Sequence, residues 1–353
     1  MRAVSLACAV TLLLAAASTS AQQARPSFLA VDSSAAVDYT VDTNGNYVKG
    51  VFLDSLVTAD FGRGFQAMVR PQAQRIAATR EWNRQIWIAE VRYERAGTVG
   101  VRLEGGYIPS PIGLANLTLR PHLNPTIAQP ASLFTSIPSL EFRGPRINLL
   151  SGLYPLGAQA TVSTRLWDAR TAVIDNSPMR LRRVFGPVNP PRFTNVVVGG
   201  GVTPFVGFRI GASVTRGGWL RAGESPTITV DRSARVVTME SELAFRHTSL
   251  AGEWTHDTLE TSLGDRSAAG WYVQGAQTLS PRCFVAGRVE RMRSTLPVVL
   301  VQEQTFKATE QTLAFRITPE LTLRVSHRAV ERFGRTGFDH TAATSLVWFR
   351  RWL

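Results

Sequence analysis

Apolar and polar residues alternate with a period of two through most of this chain. Val99, Val101, Leu103, Gly105 and Tyr107 form one series, and Thr98, Gly100, Arg102, Glu104 and Gly106 form the other. Trp87, Ala89, Val91 and Tyr93 alternate with Glu90, Arg92 and Glu94; Val237, Met239, Leu243 and Phe245 oppose Thr238, Glu240, Glu242 and Arg246; Leu321, Leu323, Val325 and Ala329 oppose Thr322, Arg324, Ser326 and Arg328. Successive side chains of a strand point to opposite faces, so each run predicts a strand with one apolar and one polar face. Strands are expected over 29–42, 46–60, 64–78, 82–95, 98–108, 157–164, 166–175, 194–203, 205–216, 234–246, 249–259, 268–279, 282–294, 303–317, 320–332 and 338–350, with no helical period between them.

The connections have their own rhythm. Thr203-Pro204, Ser280-Pro281 and Thr318-Pro319 read as tight turns. They take turns with longer polar stretches from Gly217 to Arg232, Leu259 to Ala268 and Ser294 to Gln302. Asn44-Gly45 is a strong hairpin signal. Its flanking Asp42 and Asn46 do not make it a calcium loop, because the glycine is misplaced and the far acidic ligand is missing. Short turns at one end and long loops at the other are the plan of an all-β, transmembrane, antiparallel up-and-down β-barrel of about 16 strands. Aromatics near strand ends (Trp87, Tyr107, Trp167, Trp254, Trp271, Tyr272, Trp348 and Phe349) fit interfacial girdles.

Composition sharpens this. Hydrophobic residues make up 44% and charged residues only 18%, below the ~25% charge of soluble domains. Yet the most apolar stretch, 196–208, holds Gly199, Gly200, Gly201 and Pro204, so no later segment reads as a membrane helix. Those glycines precede a second strand rather than a helix, so they suit close strand approach and not phosphate binding. Met1-Arg2, the apolar run from Ala3 to Ala17 and the small residues up to Ala21 read as a signal peptide over 1–21. Residues 22–353 then form the barrel, placed in the outer membrane of a double-membraned bacterium. Without Cys8, Cys283 is the lone cysteine, which excludes an intrachain disulfide and a cysteine-based zinc site.

The formal charge is +13, carried almost wholly by arginine, since Lys49 and Lys307 are the only lysines. The arginines are dispersed rather than clustered, and export separates the chain from nucleic acid, so nucleic-acid binding is not expected. A basic lumen favouring anions competes with a mere compositional bias. The five histidines, His122, His247, His256, His327 and His340, have no metal-type spacing. His256-Asp257 is an acid/base candidate outweighed by a surface or girdle histidine. No catalytic constellation, metal or cofactor is expected.

The connection over 109–156 is the longest and holds eight prolines. Ile112, Leu114, Leu117, Leu119, Ile127, Leu133, Phe134, Ile137 and Leu140 are too many apolar residues for a solvated tail, so it should pack in the barrel's interior or mouth. The stretch Leu103-Glu104-Gly105-Gly106-Tyr107-Ile108-Pro109-Ser110-Pro111-Ile112-Gly113 resembles the strand and Pro-x-Gly element of phosphate-selective porins and related general porins. Gly270-Trp271-Tyr272-Val273-Gln274-Gly275, then Leu279-Ser280-Pro281-Arg282, then Ala286-Gly287-Arg288-Val289-Glu290 resemble the penultimate hairpins of those porins. The resemblance, from Leu103 to Leu353, implies a 16-stranded diffusion channel, often a homotrimer, whose loop after the fifth strand folds toward the lumen. Two features depart from it: the long loop has no lysine, which argues against phosphate specificity, and Arg350-Arg351-Trp352-Leu353 follows the usual terminal aromatic, here Phe349.

The expected function is passive diffusion of small hydrophilic or anionic solutes across outer-membrane lipid. Polar-face charges would line the pore: Arg92, Arg102, Glu104, Glu240, Glu242, Arg246, Arg288, Glu290, Arg324 and Arg328 on strands, and Arg120, Arg143 and Arg146 in the loop. The competing account pairs these charges across strands, where they only hold the wall. The alternatives are a non-conducting structural or adhesive barrel, an outer-membrane enzyme such as a lipase, and a soluble periplasmic β-protein.

Overall fold

The computed structural model describes residues 28–76, 81–114, 119–137, 147–150, 154–180, 194–224, 227–295 and 304–352. The expected signal peptide, together with Arg143, Arg146, Leu117 and Leu140, lies outside them.

Sixteen strands follow in chain order: β1 (Leu29–Asp42), β2 (Tyr47–Gly62), β3 (Phe65–Ile76), β4 (Trp82–Arg95), β5 (Gly100–Tyr107), β6 (Leu156–Ser163), β7 (Trp167–Ile174), β8 (Asn195–Phe205), β9 (Phe208–Leu220), β10 (Arg232–Phe245), β11 (Thr248–Thr261), β12 (Gly264–Ser280), β13 (Cys283–Ser294), β14 (Gln304–Arg316), β15 (Leu321–Glu331) and β16 (Asp339–Trp352). A one-turn helix, α1 (Ala131–Phe134), lies in the β5–β6 connection. Each strand pairs antiparallel with its chain neighbours, and β1 pairs with β16 from Val31↔Trp352 to Asp42↔Thr341. Closure leaves no free edge, so the strand ladders are satisfied within the sheet without an open side.

The period-two pattern becomes two surfaces. Val37, Leu53, Val91, Leu103, Val198, Met239, Val289 and Val325 are exposed on the outside. Asp54, Glu104, Glu240, Arg288, Glu310 and Arg324 are buried on the inside. A cylinder whose outer wall is apolar all round is stable only against lipid.

Local chemistry explains several boundaries. Asp42 closes the β1–β2 turn by accepting the backbone N–H groups of Asn44 at 2.9 Å and Asn46 at 2.8 Å. Pro71 has no N–H to give a ladder, and β3 and β4 answer it with a bulge. Arg70 faces Ile88 and Pro71 faces Ile86, which leaves Trp87 over. At Gly200 a Cβ would meet the Asp168 carbonyl oxygen at 2.4 Å, so the triple glycine serves close strand approach.

The structure corrects four expectations. β8 runs through Thr203-Pro204 to Phe205, so the turn falls at 206–207, with the Pro204 region absorbed as a register shift. The stretch from Leu259 to Ala268 is not a long loop: β11 and β12 extend almost to meet, leaving Ser262 and Leu263 as the turn. β16 does not stop near Phe349 but continues to Trp352, with Arg351 bound to Asp32 at 2.8 Å. Among the proposed girdle aromatics, Trp167, Trp254 and Trp271 are exposed outside, whereas Trp87 and Tyr272 are buried inside. Trp87 was turned inward by the bulge, which simple alternation does not register.

Candidate functional site

The described parts of the β5–β6 connection, residues 108–114, 119–137, 147–150 and 154–155, lie inside the barrel and are tied to the wall by their own backbone. Glu253 of β11 accepts the Leu114 N–H. Glu310 of β14 accepts the N–H groups of Ile127 at 2.9 Å and Ala128 at 3.0 Å through one oxygen. Glu290 of β13 accepts the Ala131 N–H at 2.7 Å, at the first residue of α1. A carboxylate there meets an unsatisfied donor and the positive end of the peptide dipoles.

Arginines hold the carbonyl side. Arg324 donates through one nitrogen to the oxygens of Pro121 (3.2 Å), Asn124 (2.6 Å) and Thr126 (2.9 Å), and through the other to Ser345 Oγ at 3.0 Å. Arg288 donates to Thr126 Oγ1 at 2.8 Å, Gln274 Oε1 at 3.1 Å, the Gln129 carbonyl at 3.1 Å and Glu310 at 3.1 Å. The planar fork of guanidinium suits such multiple donation. Arg120 donates to the Asp32 carbonyl at 3.1 Å and lies 3.5 Å from Asp54. Asp54 also binds Arg70, which donates to Tyr154 Oη at 2.7 Å.

The rest of the loop is held by packing. Ile108, Ile112, Leu133, Ile137, Ile147, Leu149 and Leu150 are almost fully buried in one cluster with wall residues such as Ile174, Val197, Trp219, Val236, Leu259 and Met292. Burying each large aliphatic chain contributes about 1.5–3 kcal/mol. At the long-loop ends of β7–β14 the lumen is therefore filled by apolar side chains, where an open watery bore was expected.

Open space remains toward β1–β4 and at the end of the short turns. One cavity of 280 Å³ runs between the loop and β1–β4, lined by Asp38, Phe52, Gln72, Gln74, Asn83, Gln85, Trp87, Gln129, Phe134 and Arg324 among others. A second, of 520 Å³, opens at the end of the short turns, beside His122, Arg246, His247, Arg316, Glu320 and Phe349. Pro121, Asn124 and Arg324 line both. A third cavity of 430 Å³ lies at the same end beside Arg209 and Glu242. His122 stacks on Phe349 with ring centroids 4.0 Å apart. Burial, then the neighbouring Arg120 charge, pushes His122 down to about 4. Burial also lowers Arg120, and it raises the Tyr154 phenol.

No family model matches the chain, and no curated protein matches it in sequence. Solved structures do. OmpT of Vibrio cholerae covers 93% of this chain over 100% of its own, at 6% identity and a TM-score of 0.60. OmpF of Salmonella typhi, in complex with daunomycin, covers 91% over 97% at 8% identity and a TM-score of 0.62. The anion-selective porin of Comamonas acidovorans covers 92% over 98% at 10% identity and a TM-score of 0.54. A trimer form of the Vibrio OmpT is also similar, with a TM-score of 0.57.

The chain has a porin-like fold.

Within that porin-like barrel the expected site residues separate into groups. Arg288, Glu290, Arg324 and Arg120 are buried and bound to the loop or to its anchors. Glu104 is buried and engages Arg92 at 2.7 Å, with Arg102 at 3.5 Å. Arg102 keeps a side chain 40% exposed, and Arg328, bound to Glu290 at 3.1 Å, is partly exposed. His256 and Asp257 do not form an acid/base pair. As strand neighbours they face opposite ways: His256 stacks on Trp254, and Asp257 is buried. Sequence reasoning missed Asp54, Arg70, Glu253, Glu310 and the amides of β3 and β4. Their signal was an acid or amide set within an apolar run, as at Asp54 in Phe52-Leu53-Asp54-Ser55-Leu56.

Proposed function

We propose that the mature chain sits in the outer membrane of a double-membraned bacterium and acts as a porin-like channel for passive diffusion of small hydrophilic solutes. The observation that carries this reading is the pair of interior cavities that share Pro121, Asn124 and Arg324 in their linings, beside a loop fixed to the wall. Fixed loops leave a fixed bore, and its polar lining sets what passes. The short turns then face the periplasm and the long loops face outside. Arg246, Arg316 and Arg324 outnumber Glu320 around the periplasmic cavity. That excess supports a mild anion preference by long-range attraction. Arg102 and Arg328 are proposed as further solvent-facing charges of the lumen. A homotrimer in outer-membrane lipid is proposed from the resemblance.

The apolar cluster beneath the loop favours a second reading, a barrel sealed by its loop that serves a structural or adhesive role. Conductance of the purified protein in planar bilayers separates the two. Stepwise currents, with a reversal potential displaced toward the anion potential in a salt gradient, are expected. A silent bilayer would favour the sealed barrel.

A further inference from the structure

The 280 Å³ cavity has a lining unlike the charged lattice around it. On β3 and β4, Gln72 stands opposite Gln85 and Gln74 opposite Asn83. These four amides form a square on the inner wall, all bordering the cavity. Phe52 of β2 pairs across from Gln74. Trp87, the residue left over by the Arg70/Pro71 bulge, borders the cavity two residues beyond Gln85. From the loop opposite come Gln129 and Phe134, the latter 50% exposed although it lies within the barrel.

The charges bordering the cavity are one of each sign, Asp38 and Arg324. Arg324 has both terminal nitrogens engaged by loop carbonyls and Ser345, which leaves its buried Nε as the guanidinium nitrogen without a partner among the described residues. An amide carries both a donor and an acceptor, as a hydroxyl does. A wall of amides therefore matches a ligand dense in hydroxyls better than an ion of either sign. Aromatic faces on two sides supply flat apolar surface, suited to the C–H faces of a sugar ring. The volume falls just under the ~300–1,000 Å³ of small-molecule sites, enough for a small saccharide and short of a long oligomer.

We propose that this cavity is a binding site for neutral saccharides, mono- or disaccharide in size, which makes such sugars the preferred cargo. The cargo role rests on the channel reading above; the binding site itself does not. Two measurements keep them apart. Ion current through the reconstituted protein is recorded while maltose or glucose is added, and maltose binding to the detergent-solubilised protein is followed by calorimetry.

Saturable block of the current by maltose is expected. The half-blocking concentration, read against each variant's own open-channel current, should rise about tenfold in Gln74→Ala and in Phe134→Ala. Gluconate, with a full negative charge, should block more weakly than glucose. Currents that maltose leaves unchanged, with no heat of binding, would overturn the saccharide site and leave the channel standing. Binding that Gln74→Ala abolishes, in a protein that passes no current, would support the site and end the channel reading. Block of equal strength in the wild type and both variants would overturn the assignment to this cavity.

Discussion

The carboxylate of Glu290, on β13, accepts the backbone N–H of Ala131 at 2.7 Å and so fixes the first residue of helix α1 to the barrel wall. Its second oxygen takes Arg328 at 3.1 Å. Glu290→Ala removes the acceptor and strands both donors. An orphaned buried donor costs about 1–3 kcal/mol. The variant should unfold more readily by that amount in urea titrations of the lipid-reconstituted barrel, and its channel current should be larger and noisier. Unchanged stability together with unchanged current would show that this anchor does not hold the loop.

Glycine at 106 is required for a different reason. Its φ is +123°, and a Cβ would meet the Ala89 carbonyl oxygen at 2.3 Å, across the β4–β5 ladder. Gly106→Ala should sharply lower the yield of folded barrel, read as heat-modifiable mobility on gels. At the neighbouring Gly105 nothing lies within 4 Å, so Gly105→Ala should fold normally.

Protonation of His122 should loosen the loop. Its folded pKa is depressed from 6.5 to about 4 by burial and then by Arg120. The unfolded chain therefore binds more protons than the folded one between those values. The contribution is fully present above pH 6.5 and is lost as pH falls toward 4. Stability and open-channel noise should change through that window in the wild type, and the dependence should flatten in His122→Phe, which keeps the stack on Phe349.

Lipid contact is tested from outside. Val289 lies near the middle of β13, exposed on the outer wall and flanked by the inward Arg288 and Glu290. An arginine near the bilayer midplane costs about 2–4 kcal/mol. Val289→Arg should lose that much stability in lipid vesicles, whereas a water-exposed position would tolerate it.

The barrel was legible because each strand writes its two faces into consecutive residues. Leu103, Glu104 and Gly105 announce outside, inside and outside without reference to any other part of the chain. Strand number, closure and the inward loop follow from such local signals plus the length of the 109–156 stretch. The site was legible only in part. Arg288, Glu290 and Arg324 could be assigned to the inner face, but their partners Gln129, Ala131 and Asn124 lie more than 150 residues away. No local pattern tells an arginine that borders water from one that grips a loop carbonyl. The inward Trp87 was hidden for a narrower reason: one bulge at Pro71 resets the alternation. The apolar filling beneath the loop was hidden because Val197, Val236 and Leu259 look like lipid-facing residues until register places them inside.

The central claim is that water and solute pass between the loop and the β1–β4 wall, and not through the packed side. Thiol accessibility tests it directly. In a Cys283→Ser background, Gln74→Cys borders the open cavity, and Ala308→Cys lies in the buried apolar cluster. A water-soluble methanethiosulfonate reagent added during bilayer recording should cut the current of Gln74→Cys and leave that of Ala308→Cys unchanged. Block at 308 with none at 74, or no current from either protein, would contradict the account.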